Sequence, residues 1–132
     1  MAAEILQRFD VIEECYEFML AYAAQGLASD NGSESGRQIR EFLYRTVNAL
    51  IGLADDCAEA MGDDRPNFLD VLAGDANDAL AAMELVLAQP SISSQLIDNL
   101  NASVHLRALL TDIFLLGEVL RSRQVATQAA GS

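Results

Sequence analysis

Apolar residues recur at alternating steps of four and three along four consecutive stretches of the chain. This spacing places the apolar side chains on one stripe of an α-helix and leaves the rest of its perimeter to polar residues. The first stretch shows the pattern most clearly, through Ile5, Phe9, Ile12, Tyr16, Met19 and Ala23. The pattern therefore predicts an all-α protein, but it does not predict a reaction.

Turn and capping residues divide the chain into four predicted helices. We expect these helices at about residues 2–27, 35–61, 66–88 and 93–123. Ser35 and Gln38 have the spacing of a capping box, and Pro66 suits the first turn of the third helix. Four such helices most simply form an up-down-up-down bundle with antiparallel neighbours. Residues 1–124 would form this single domain, followed by a frayed tail over 125–132.

The fourth predicted helix departs from the single apolar stripe. The polar residues Asn99, Asn101 and Ser103 predict a weak point, and a kink, near its start. From Val104 to Leu120 most of the helix perimeter is apolar. A helix of this kind is buried on most sides. In one interpretation, this helix packs into its own bundle and also against a second copy of the chain in a dimer. In the other, it has one broad face in the core, and Asp112 points to solvent. The candidate partner interface consists of His105, Leu109, Asp112, Leu116 and Val119.

Composition narrows the class of protein. The chain has 132 residues, of which 52% are apolar, with two Pro and no Trp, and this favours one helical domain. No uncharged apolar run is long enough to span a bilayer, and the first residues lack the features of a signal peptide. We therefore expect a cytoplasmic protein. The net charge of −12 disfavours nucleic acid and anionic membranes as partners.

Acidic residues form a row on the first predicted helix. Asp10, Glu13, Glu14 and Glu17 lie at positions i, i+3, i+4 and i+7, so their carboxylates share one face. One interpretation is a solvated face that keeps the protein soluble. A second is a docking surface for a partner protein with a basic surface. A third is cation coordination, although the sequence has no calcium-binding run such as Asp-x-Asp-x-Asp-Gly.

The sequence has few residues of the types that catalyse reactions or bind metals and cofactors. With a single histidine, the chain cannot supply the two Glu-x-x-His motifs of a di-iron bundle, and it has no phosphate-binding loop or zinc-ligand spacing. We therefore predict no catalytic residue, metal or cofactor. Cys15 and Cys57 are far apart. They are two small buried side chains, a redox pair, or the site of a disulfide between two copies of the chain.

Three functions are consistent with this sequence. The first is a non-enzymatic protein–protein interaction module, such as an adaptor, assembly factor, chaperone or regulator, that forms a homodimer. The second is a histidine-phosphotransfer protein that uses His105. Such domains resemble one another around His-x-x-Lys-Gly, whereas here Arg107 is one position early and Leu109 stands where glycine is wanted. The third is an acidic mimic of DNA that inhibits a nucleic-acid-binding protein.

Overall fold

The computed structural model describes residues 2–131, with side chains as far as residue 126. Six α-helices and no strand are found over residues 2–131, so the predicted all-α class is confirmed. The helices are α1 (Ala2–Ala24), α2 (Glu34–Leu50), α3 (Leu53–Met61), α4 (Phe68–Leu87), α5 (Ser94–Ala102) and α6 (Val104–Gly131). A single 3₁₀ turn, Gly62–Asp64, follows α3. Ser132 lies outside the described residues, and α6 includes most of the segment that we expected to be a frayed tail.

The second predicted helix is divided into α2 and α3. Ile51 is extended, with φ −64° and ψ 118°, and it ends α2. Gly52 follows with φ +68°, in the left-handed region that glycine adopts without steric cost, and it precedes the first residue of α3. Arg8 of α1 then satisfies the carbonyls that the break leaves free. Its Nε donates to the carbonyl oxygen of Ala49 at 3.0 Å, and its Nη2 donates to that of Ile51 at 2.7 Å. A guanidinium from another helix therefore stabilises the break.

The fourth predicted helix is also divided, at the weak point that its polar residues predicted. Ser103 is extended, with φ −65° and ψ 144°, and it separates α5 from α6. Its hydroxyl accepts a hydrogen bond from the N–H of Leu106 at 3.3 Å and so caps the start of α6. Ser93 caps α5 in the same way, through the N–H of Leu96 at 3.0 Å. Position 93 therefore begins this segment, as the sequence predicted.

The predicted capping box of Ser35 and Gln38 is wrong. The hydroxyl of Ser33 accepts from the N–H of Gly36 at 2.9 Å, and α2 begins at Glu34. The loop before α2 passes very close to the first turn of the helix, so a Cβ on Gly36 would lie 1.8 Å from the carbonyl oxygen of Asp30. The cap therefore forms where the preceding loop crosses the helix.

Helices α1 and α4 organise the packing. Each of them packs against α2, α3, α5 and α6. The core fills the space between these helices, and its largest fully buried side chains include Phe9, Ile12, Leu43, Leu72, Met83 and Ile97. No helix within residues 2–131 is long and apolar enough to cross a membrane.

The end of α1 is held by residues that lie far along the chain. The Tyr22 hydroxyl donates to the carbonyl oxygen of Ile92 at 2.7 Å, and the Ser94 hydroxyl donates to the carbonyl oxygen of Tyr22 at 2.6 Å. Leu27 exchanges two bonds with Ser94, because its N–H donates to the Ser94 hydroxyl and its carbonyl accepts from the Ser94 N–H. The carbonyl of Tyr22 near the end of α1 and the backbone of Leu27 just after it are thus bonded to Ser94 at the start of α5.

Candidate functional site

The side of α6 that points away from the core carries exposed apolar residues. Val104 is 70% exposed and Leu115 is 55% exposed, and Phe114 and Val119 are also exposed. Arg107, Thr111 and Glu118 lie among them and are exposed as well. We call this surface the α6 outer face; it consists of Val104, Arg107, Ala108, Thr111, Phe114, Leu115, Glu118 and Val119. Exposed apolar residues that share one face are typical of interaction sites, whereas single ones are ordinary.

The predicted partner interface is only partly on this surface. His105 and Val119 are exposed, but Leu109, Asp112 and Leu116 are buried within the chain's own core. These three residues cannot contact a partner in this conformation, because they lie on the side of α6 that packs against α1, α4 and α5. That part of the prediction was wrong. The expected contact between this helix and a second chain stays a prediction, and it now concerns the α6 outer face.

Asp112 meets another acidic residue inside the molecule. It is 3% exposed, and the half-buried Asp75 on α4 lies close enough to share a hydrogen bond with it. Burial, together with the hydrogen bond and the negative charge of Asp75, raises the pKa of Asp112 to about 7. Its Oδ2 atom is buried without a hydrogen-bond partner among the described residues. The solvent-facing alternative for Asp112 is therefore wrong, and its partner belongs to the same chain.

The acidic row of α1 is at the surface. Asp10, Glu14 and Glu17 are exposed, and Glu13 is half-buried. Burial and the charge of Asp10 raise the pKa of Glu13; the guanidinium of Arg121 on α6 acts in the opposite direction, and Glu17 adds to the rise. The row therefore lies beside α6. Its negative charges act on one another, as the helical spacing predicted.

Only one residue of this row has an ion-pair partner among the described side chains. Glu14 lies 3.8 Å from Arg45 of α2, and both side chains are well exposed. An exposed pair at this distance contributes little to stability. The carboxylates of Asp10, Glu13 and Glu17 remain available to a basic group of another molecule.

A partly buried ion pair that the sequence did not reveal joins Asp30 and Arg40. Asp30, in the loop before α2, accepts from Arg40 Nε at 2.5 Å and from the N–H of Ile92 at 2.6 Å. Burial by itself would raise the pKa of Asp30, but these hydrogen bonds and the charge of Arg40 hold it below its usual range. Arg40 also donates to the carbonyl of Gln89 at 3.0 Å. The pair joins two loops, and its role is structural.

The cysteines are placed as small core residues. Cys15 and Cys57 are buried and free, and burial raises the pKa of each thiol to about 11. Both are therefore protonated near neutral pH, and such thiols are poor nucleophiles and metal ligands. Within the described part of the chain, no group of three or more His, Cys, Asp or Glu residues could hold a metal ion.

The chain matches no protein-family model, and no curated protein or solved structure is similar enough to match it. Its function must therefore be argued from the α6 outer face and the acidic row.

Proposed function

We propose that this protein is a non-enzymatic protein–protein interaction module that works in the cytoplasm as an adaptor, assembly factor, chaperone or regulator. The observation that carries the proposal is the α6 outer face, where Phe114, Leu115 and Val119 are exposed on neighbouring turns. Burying this apolar area against a partner is favourable, because it removes the apolar side chains from water. The proposal gives no residue a catalytic role and requires no cofactor.

The same proposal treats the fold as a four-helix bundle with up-down-up-down topology and antiparallel neighbours. In this bundle, α2 and α3 together form the second helix, and α5 and α6 together form the fourth. Two contacts support this arrangement. Asp112 meets Asp75 of α4, and Arg123, further along α6, donates to the carbonyl of Asp64, which precedes α4, at 3.2 Å. Helices α4 and α6 that run in opposite directions would make such contacts.

The charge distribution supports two separate binding surfaces. Helix α1 has five acidic residues and only Arg8, whereas α6 has three Arg and two acidic residues. A partner with a basic surface therefore suits the acidic row of α1 rather than the α6 outer face. The α6 outer face would bind a second copy of the chain and form a homodimer.

Affinity capture with matched charge variants tests the proposal. One bait removes three exposed charges of the acidic row, through Asp10→Asn, Glu14→Gln and Glu17→Gln. The control bait removes the same number of exposed charges elsewhere, through Glu59→Gln, Glu84→Gln and Asp98→Asn. We expect a basic protein that binds the wild type and the control bait, is lost from the acidic-row bait, and dissociates as salt rises. Identical retention by all three baits would contradict the assignment of this surface.

Two further measurements separate the alternative functions. If free DNA displaces the captured protein, the chain acts as a DNA mimic. If a small phosphodonor leaves an acid-labile phosphate on His105, the chain acts in phosphotransfer. His105 is exposed, as the phosphotransfer function would require.

A further inference from the structure

Two oppositely charged residues lie on the same edge of the α6 outer face. Arg107 and Glu118 are both exposed, and neither has an ion-pair partner among the side chains that the structure describes. They are eleven residues apart, close to three full helical turns, so they lie on the same flank of α6 and about 16 Å apart along its axis. A flank with one positive and one negative end can pair with a reversed copy of itself.

Twofold symmetry makes this pairing specific. In an antiparallel pair of identical helices, residues of the same flank meet, and each contact occurs twice. When the twofold axis passes between positions 112 and 113, Arg107 of one copy lies level with Glu118 of the partner copy. Glu118 of the first copy then lies level with Arg107 of the partner copy. One register therefore forms two ion pairs.

The same register fits the apolar side chains together. Leu115 of the partner copy falls level with the gap between Ala108 and Thr111, two small residues on the facing helix. Val119 of the partner copy falls between Val104 and Ala108. Large side chains thus oppose small ones, as in the knobs-into-holes packing of paired helices. The exposed fractions of Leu115 and Val119, 55% and 42%, leave area for this contact to bury.

Charge also favours α6 as the contact between two copies of a chain whose net charge is −12. Helices α1, α3 and α4 all have more acidic than basic residues, so contacts between copies of those surfaces would place like charges together. On α6, Asp112 is turned inward and its pKa is raised, and three Arg are present. Helix α2 has the same balance of three Arg and two acidic residues, but each of its Arg already has an ion-pair partner within the chain. Repulsion between two copies is therefore smaller at α6.

We infer that two copies of the chain pair antiparallel through the α6 outer face, with Arg107 of each copy bound to Glu118 of the other. This inference rests on the proposed homodimer and adds its orientation, its register and the residues that fix them.

Charge exchange tests the register. Sedimentation equilibrium would compare wild type with Arg107→Glu, with Glu118→Arg, and with the double variant that carries both. Each single substitution replaces two attractive contacts with two repulsive ones, and we expect the dimer Kd to rise about tenfold or more at low salt. The double variant restores both pairs in reversed order, and its Kd is expected within about threefold of wild type. Glu84→Arg, on an exposed position of α4, is the control and should leave the Kd unchanged.

Mixing the two single variants gives a second readout. One carries two acidic residues at these positions and the other two basic ones, so the mixture should form a heterodimer more tightly than either variant forms a homodimer. Circular dichroism of each variant checks that the helices are intact. A dimer whose Kd is unchanged by either single substitution, or whose affinity the double variant and the mixture fail to restore, overturns the register while leaving self-association in place. A wild type that stays monomeric at high concentration overturns both the register and the homodimer, whereas the capture experiment on α1 is unaffected.

Discussion

Asp112 of α6 faces Asp75 of α4, so two acidic side chains share the contact between these helices. A buried carboxylate beside a second one is costly, and the pair avoids this cost by keeping a proton. This explains why the pKa of Asp112 rises to about 7. Among the described residues of the helices packed against α6, Asp75 of α4 is the one whose charge acts on Asp112. Glu13 of α1 interacts with Arg121, and Asp98 of α5 is exposed.

Asp112→Asn should stabilise the protein at alkaline pH. The folded-state pKa is raised above the unfolded value of about 4, so between pH 4 and pH 7 the folded state binds more protons than the unfolded state. The wild-type free energy of unfolding therefore falls as pH rises through this range and levels off above it. Asparagine does not ionise and can donate to Asp75. Relative to wild type, we expect a gain of about 1–3 kcal/mol at pH 8 that shrinks towards pH 4.

Urea unfolding at pH 4, 6 and 8 would measure this difference. The control is Asp78→Asn, an exposed carboxylate on α4, whose effect should vary much less with pH. A gain for Asp112→Asn that is constant with pH, or that increases towards pH 4, would contradict the shared proton.

Arg8→Met should destabilise the break between α2 and α3. The substitution keeps most of the aliphatic stem but removes the donors to the carbonyls of Ala49 and Ile51. Loss of these bonds to a charged group should lower the free energy of unfolding by about 1–3 kcal/mol. Asp56→Asn removes only the exposed carboxylate that Arg8 contacts at 2.5 Å, and its cost should stay below about 1 kcal/mol. Equal effects of the two variants in chemical denaturation would contradict the capping role of Arg8.

Two helical glycines should respond oppositely to alanine. Around Gly74 of α4, an added Cβ meets nothing within 4 Å, and alanine is the better helix former, so Gly74→Ala should stabilise by about 0.5–1 kcal/mol. At Gly36 the added Cβ would overlap the backbone of Asp30, and the loop before α2 would have to move. Gly36→Ala should therefore destabilise by about 2 kcal/mol or more. Thermal unfolding of both variants measures the pair, and a stabilising Gly36→Ala would refute the close approach.

The two thiols should react only when the protein unfolds. Burial, and a pKa of about 11 for each, keeps Cys15 and Cys57 protonated and inaccessible at pH 8. A chromogenic disulfide reagent should therefore label almost no thiol in the native protein and both thiols in denaturant. Glu84→Cys places a thiol at an exposed position and serves as the reactive control. Rapid labelling of either native cysteine would contradict its burial.

Much of the fold follows from the hydrophobic spacing, but its breaks do not. Leu50, Leu53 and Cys57 are all buried, so the steps of three and four continue across Gly52 although the helix does not. The break depends on the extended Ile51, on the left-handed Gly52 and on Arg8, a residue more than forty positions earlier. Spacing along the chain contains no information about such a donor. The break at Ser103 was foreseeable, because the polar residues around it mark it locally.

The candidate site also depends on contacts between residues that are far apart in the sequence. The apolar perimeter of the fourth predicted helix is real, but it combines a buried side, with Leu109 and Leu116, and an exposed side, with Leu115. The sequence alone cannot tell which side faces the core, because that depends on how α1 and α4 pack against the helix. The partner of Asp112 was hidden for the same reason, since Asp75 lies on a different helix.

The bonds that Ser94 makes with Tyr22 and Leu27 set an order of events during synthesis. The chain emerges from the ribosome N-terminus first, and about seventy residues separate the end of α1 from the groups that complete it. Until position 94 has emerged, the Ser94 hydroxyl cannot reach the carbonyl of Tyr22, and water takes its place there. The first helix to be made is therefore among the last to be finished.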